Sequence, residues 1–195
     1  MLTDLRAAFR PAITFTLGFG LLLGIAYPLA LTGIGQVLFP HQANGSLIVD
    51  HGKVVGSELI GQGYASDRYF HGRPSAAGTN GYDATASSGS NYGPTSKALI
   101  DRVKGDVSKL TAQSPGNPVP PDLATASASG LDPDISPEAA FFQADRVAKA
   151  RKLPVDRVRQ LIQSHVEAPI PSFLGDSHVN VLMLNRALDA EAPKS

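Results

Sequence analysis

The sequence predicts an α+β protein in which one N-terminal transmembrane helix precedes a single loop-rich extracytoplasmic domain, with a β-hairpin and a helical C-terminal half. Three observations predict it. No Asp, Glu, Lys or Arg occurs between Arg10 and Asp50, and inside that gap Ala12–Leu31 is a run of 20 residues with two threonines as its only clearly polar members. Glycine (19) and proline (15) are abundant, which favours loops and short elements over a helical bundle. Beyond residue 96, apolar side chains recur at spacings of three and four, the period of amphipathic helices.

A helix crosses the hydrocarbon core with about 20 apolar residues, so the run is long enough to span. Gly18, Gly20, Gly24 and Pro28 would weaken a soluble helix but are tolerated in a membrane. Gly20 and Gly24 form a small-xxx-small pair and are the candidate helix-contact residues. Arg6, Arg10 and the terminal amine outweigh Asp4, which keeps the N-terminus in the cytoplasm by the positive-inside rule. The expected layout is therefore residues 1–11 cytoplasmic, 12–33 in the cell inner (plasma) membrane and 34–195 extracytoplasmic (periplasmic). A cleaved signal peptide has a shorter apolar core, and here Pro28 stands three residues before the best cut, so an uncleaved anchor is expected.

Composition excludes several classes. Seventeen basic and 17 acidic side chains give zero formal net charge and no basic footprint for nucleic acid. Without cysteine there are no disulfides, thiol nucleophiles or cysteine metal sites. Only Asp4, Arg6 and Arg10 are charged ahead of residue 40, so the outer domain is nearly neutral.

Along the outer domain, Leu47–Val49 and Lys53–Val55 flank a turn at Asp50-His51-Gly52 and read as a β-hairpin. Tyr69-Phe70 is expected to end another short strand. The stretch 71–93 is rich in Gly, Ser, Ala and Asn but carries the specific patterns Arg73-Pro74-Ser75 and Gly89-Ser90-Asn91, so it reads as an ordered functional loop. Pro94-Thr95 opens a helix to about Gln113, with Leu99, Ile100, Val103, Val107 and Leu110 on one face. Residues 114–135 form a second, proline-punctuated loop. Ser136-Pro137-Glu138 combines a serine cap, a proline at the first helical position and a carboxylate at the positive end of the dipole, starting a helix to about Lys152. A third helix begins near Pro154 with Val155, Val158, Leu161, Ile162 and Val166 on one face. The last element, about Val179–Asp189, has both strand and helix features and is assigned as helix.

No phosphate-binding loop, nucleophile elbow, zinc-binding His-Glu-x-x-His run or phosphorylated-aspartate signature of ion pumps is present. The five histidines never fall at ligand-like spacing, so no metal site is expected. Asp132 could serve as a general base, but Asp before Pro133 is ordinarily a turn former. Arg73 reads equally as an anion or interface residue and as a solvated loop arginine. Gln143 reads as an exposed helical glutamine. No catalytic set emerges.

Seven blocks in order then resemble the KdpC family, the third component of the bacterial Kdp potassium-transporting P-type ATPase. They are Gly56–Gln62, Tyr69-Phe70 with Arg73-Pro74-Ser75, Gly89–Thr95, Ser129–Pro133, Ile135–Ala140, Val179–Leu182, and Leu184-Asn185 with Ala187-Leu188. The resemblance implies an accessory, non-hydrolysing subunit of a high-affinity potassium uptake complex. Its implied partners are a channel-like subunit, an ATP-hydrolysing subunit and a small single-helix subunit. The family is described as a catalytic chaperone that raises the ATP affinity of the hydrolysing subunit. ATP and potassium would be handled by the complex, with no cofactor bound by this chain, because the topology places its domain across the membrane from ATP. The candidate subunit-interface residues are Arg73, Pro74, Ser75, Gly89, Ser90, Asn91, Gly93, Pro94, Thr95, Leu131, Asp132 and Pro133. The competing expectations are a membrane-tethered periplasmic enzyme or a ligand-binding module.

Overall fold

The computed structural model describes residues 2–171 and 173–191, and the chain divides into two compact units at Leu47/Ile48. The first unit is one long helical run: α1 (Leu2–Leu21), a π-helical turn at Leu22–Ala26 and α2 (Tyr27–Leu38). Within it, Arg6–Leu38 is long and apolar enough to cross a membrane, 33 residues with none of its apolar window buried by protein. The helix thus extends past both ends of the expected 12–33 segment. The widened turn, in which the Tyr27 N–H donates to the Leu22 carbonyl, sits just ahead of Pro28. Proline has no N–H to donate and its ring crowds the carbonyl four residues back, and a π turn relieves both. The helix ends at Phe39 (φ −136°), which precedes Pro40 and is driven out of helical geometry by the proline ring. A single turn, α3 (Pro40–Ala43), follows.

The expected hairpin follows at the boundary, β1 (Leu47–Asp50) and β2 (Lys53–Ser57), with all but Leu47 in the second unit. His51 (φ 47°) and Gly52 (φ 78°) are both left-handed, the geometry of a two-residue turn matched to strand twist. No strand ends at Tyr69-Phe70. That segment is a turn closed by the Tyr69 N–H on the Ser66 carbonyl, and Phe70 enters the core fully buried. The period-two signal is only two aromatic residues long, and among the described residues no strand pairs with it.

Helix α4 (Lys97–Gln113) starts three residues later than expected, because Pro94-Thr95 occupy a turn closed by Ser96 N–H on Gly93 O at 3.0 Å. Its apolar face is only partly covered, with Leu110 packed on the core and Ile100 exposed. The second loop contains the short α5 (Pro121–Ala124) and ends in β3 (Asp134–Ile135), neither expected. Strand β3 pairs antiparallel with β4 (Val179–Asn180) in the register Asp134↔Asn180 and Ile135↔Val179. The last element is therefore both things its sequence suggested: β4 leads directly into α8 (Val181–Glu191).

Helices α6 (Pro137–Arg151), α7 (Val155–Ser164) and α8 carry most of the core, where Val147, Val158, Ile162, Leu184 and Leu188 meet Phe70. Ala139, Ala140, Ala144 and Ala148 give α6 a small-residue face that lets its neighbours approach closely. Ser136 caps α6 as expected, its Oγ accepting from Ala139 N–H at 3.0 Å, and Asp122 of α5 accepts from both the N–H and the hydroxyl of Ser136. The helix ends at Lys152 in the left-handed conformation (φ 57°), with Leu153 N–H reaching back to Ala148 O at 3.0 Å, a Schellman closure without the usual glycine. These two ends predict opposite effects. Ser136→Ala should lower unfolding free energy by about 1–2 kcal/mol and Lys152→Gly should raise it by about 0.5–1 kcal/mol, both read from denaturant midpoints at constant slope.

Candidate functional site

The second unit's distinctive feature is an irregular strip, residues 66–71, held by side chains instead of by a neighbouring strand. Asn185 of α8 accepts from Phe70 N–H (2.8 Å) and donates to Phe70 O (3.0 Å). Gln143 of α6 does the same for His71, accepting from its N–H (2.8 Å) and donating to its carbonyl (3.0 Å). Each amide reproduces the two bonds a paired strand would supply. Two arginines complete the clamp. Arg146 donates to Asp67 O and Tyr69 O, and Arg151 donates to Arg68 O (2.6 Å) and Asp189 Oδ1 (2.7 Å) while its guanidinium lies 4.7 Å from the Tyr69 ring centroid.

Gln143 is only 4% exposed, so the expectation of a solvated helical glutamine is overturned. Its position between Ala139-Ala140 and Ala144-Val147 on the apolar face of α6 was the available signal, and Asn185 stands likewise between Leu184 and Leu188. A polar amide on a buried helix face needs partners, and here they are backbone groups of a distant loop.

The strip leads into two interlocked loops. Arg73 Nη1 donates to Asp132 Oδ2 at 2.9 Å, both side chains about one-quarter exposed. The other carboxylate oxygen of Asp132 accepts from Asp134 N–H, so Asp132 is at once the turn former expected and an ion-pair partner. Ser75 Oγ donates to Gly130 O and accepts from Tyr82 N–H (2.7 Å) and Ala77 N–H. The Tyr82 hydroxyl donates to Arg73 O at 2.6 Å, and burial, followed by the Asp132 charge, pushes its pKa up to about 12. Ser88 N–H donates to Ser129 O, and Ser127 and Ser129 hydroxyls accept from Gly130 and Leu131 N–H groups. Gly130 (φ 66°) lies where a Cβ would come within 2.5 Å of Ser88 O and 2.8 Å of Ala77 N, so only glycine fits.

Of the candidate interface residues, Arg73, Ser75, Gly89, Leu131, Asp132 and Pro133 are drawn into this interlock. Gly89 packs on the Ala128 backbone, Leu131 O accepts from Gly61 N–H, and Pro133 O accepts from Val181 N–H. Pro74 lines a cleft of about 310 Å³ with Tyr64, His71, Tyr82, Lys109 and Gln143. Asn91, Gly93, Pro94 and Thr95 lie instead on the exposed approach to α4, and Ser90 is half-buried there. In the helical unit, a Cβ at Gly20 or Gly24 would meet nothing within 4 Å apart from its chain neighbours and the helix's own nearby backbone. Among the described residues no group of three or more His, Asp or Glu side chains is placed to hold a metal ion.

The family model described as "KdpC: K+-transporting ATPase, c chain" matches residues 9–190. The chain belongs to the KdpC family. It is 59% identical over 185 residues to the potassium-transporting ATPase KdpC subunit of Caulobacter vibrioides (strain NA1000 / CB15N), covering 94% of this chain and 93% of that one. It is 57% identical over 192 residues to the KdpC subunit of Rhodopseudomonas palustris (strain BisB18), covering 93% and 96%. With the KdpC subunit of Bradyrhizobium diazoefficiens it shares 56% over 196 residues, 95% and 98% of the two chains. The match runs through the apolar helix, both interlocked loops and the clamp residues of this KdpC-family chain.

The clamp makes two measurable predictions. Gln143→Ala strands the His71 N–H and carbonyl and should cost about 2–4 kcal/mol, read as a denaturant midpoint shift. The His71 imidazole is held below its ordinary 6.5, first by burial and then by the Arg146 charge. The folded state thus favours neutral His71, and that stability is complete above the unfolded value and lost as pH falls through the depressed folded one. Between about pH 7.5 and about pH 5 the wild-type thermal midpoint should fall further than that of His71→Gln.

Proposed function

We propose that this chain is an accessory, non-hydrolysing subunit of an ATP-driven potassium uptake complex, tying a channel-like subunit to an ATP-hydrolysing one. The observation that carries the reading is the family match over residues 9–190, which takes in the apolar helix and the whole outer unit together. A membrane-spanning helix with open Gly20 and Gly24 suits close approach by a partner helix. The preformed loop surface around Arg73, Asp132 and Gly130 suits a partner outside the membrane, because ordering it costs nothing further on binding. In this reading the assembly also includes a small single-helix subunit.

Arg6 and Arg10 support an orientation with the N-terminus cytoplasmic and residues after the helix on the periplasmic side of the inner membrane. The chain would then influence ATP affinity of the hydrolysing subunit through coupling across the complex and not by touching nucleotide. ATP crosslinked to residues 40–195 in the native complex would contradict this. A cysteine-free chain makes orientation directly testable. A membrane-impermeant maleimide applied to spheroplasts should label Ser108→Cys and leave Thr3→Cys unlabelled, and the reverse pattern would overturn the orientation.

The function itself is tested by recovery through an affinity tag on this chain from detergent-solubilised native membranes. A potassium-stimulated ATPase should come with it, and recovery of the chain alone counts against the proposal. Gly20→Leu combined with Gly24→Leu should reduce that recovery, and an unchanged yield would remove the glycines from the interface.

A further inference from the structure

Between α7 and β4 the chain makes a short excursion whose apolar tip stands in solvent. Its base is closed by an antiparallel bridge, Glu167 N–H to His178 O at 2.8 Å and His178 N–H to Glu167 O at 3.0 Å, and Leu174 N–H donates to Pro171 O within it. The base is fixed to the core, because Val179 follows immediately and is fully buried. The excursion itself presents Ile170, Phe173 and Leu174, which are 98%, 80% and 67% exposed. Three large apolar side chains left this exposed within five residues are of the kind that marks a binding surface. Residues 168–175 carry no charge at all.

The charges around this tip decide between the surfaces that could cover it. No Lys or Arg occurs between Arg159 and Arg186, while Glu167 and Asp176 flank the excursion directly. Glu58 and Asp134 join Glu167 and His178 around one cleft beside its base. Loops that enter lipid place basic residues next to their apolar tips to meet anionic headgroups, and an acidic collar does the opposite. The same collar complements a protein surface on which an apolar depression is rimmed by cations.

We propose that Ile170, Phe173 and Leu174 form a plug that enters an apolar socket with a basic rim on a partner subunit of the same complex. The proposal rests on the subunit reading above and adds where and by what chemistry the outer unit engages. Apolar side chains at the centre of such a contact carry most of its energy, and the acidic collar sets orientation and salt dependence.

The test uses the full chain, tagged and purified with its assembly from native membranes, comparing wild type, Phe173→Asp combined with Leu174→Asp, and Glu167→Lys. Tip side chains this exposed should leave the chain's own thermal midpoint unchanged when replaced. The double substitution should lower co-recovery of the potassium-stimulated ATPase about tenfold or more, and Glu167→Lys should lower it less and in a salt-sensitive way. Equal recovery of wild type and double variant after a high-salt wash overturns the plug while leaving the subunit reading intact. Failure of wild type itself to recover the ATPase overturns the subunit reading instead. A second measurement does not depend on the aspartates. The chain has no tryptophan, so Phe173→Trp is a unique fluorophore in the lone chain reconstituted into vesicles. Its emission should be unaffected by lipids brominated along the acyl chain, and quenching by them would assign the tip to the bilayer and overturn the proposal.

Discussion

Phe70 and His71 bring backbone into a helical core that offers them no strand to pair with. Buried N–H and C=O groups must nonetheless be satisfied, and here α8 and α6 answer with side-chain amides, Asn185 on Phe70 and Gln143 on His71. Much of the second unit depends on that solution. It lets Phe70 fill the space between the helices, sets where the chain leaves the core, and so fixes the start of the 71–93 loop. Arg146 and Arg151 extend the same principle to carbonyls of residues 67–69, each placing a charge at the edge of the core where Asp67 or Asp189 balances it. Each of these four side chains finds backbone partners, the condition under which a buried polar network orders a structure instead of weakening it.

From that fixed start the two glycine- and serine-rich loops lock each other. Hydroxyl-to-backbone bonds from Ser75, Ser127 and Ser129 replace secondary structure, and Gly130 permits an approach that any side chain would block. A composition that reads as flexible linker therefore gives a defined surface, because short polar side chains are good at satisfying nearby backbone groups. The Arg73–Asp132 pair is a consequence of the lock as much as a cause of it. Part-exposed pairs of this kind contribute little on their own, and their value lies in orienting the two loops toward whatever binds them.

Much of this was legible in the residues alone. The apolar run before Asp50, the His51-Gly52 turn and the Ser136-Pro137-Glu138 helix start each encode a local rule: the hairpin and α6 appear where that rule puts them, and the apolar run is helical beyond both its expected ends. The last element's mixed signal was also sound, since Val179-Asn180 pair as a strand before Val181 begins the helix. What stayed hidden was non-local. Nothing near Gln143 says that its partner lies 72 residues earlier in the chain, and nothing near Tyr69 says that its strand partner is missing. Strand β3 was hidden for the same reason, two residues supported by β4, 46 positions later by the Asp134–Asn180 pair. Of the candidate interface residues, the structure gathers those around Arg73, Ser75, Leu131 and Asp132 and leaves the Asn91–Thr95 stretch on an exposed approach to α4.

Side-chain clamping by α6 and α8 preorders the loops in the lone chain, before any partner arrives. Amide hydrogen exchange of the full-length chain in detergent, without other subunits, tests it most directly. The Phe70 and His71 amides should exchange as slowly as those in the middle of α6, and Gln143→Ala should release His71 selectively. Exchange of both amides at the rate of an open loop in the wild-type chain would contradict it.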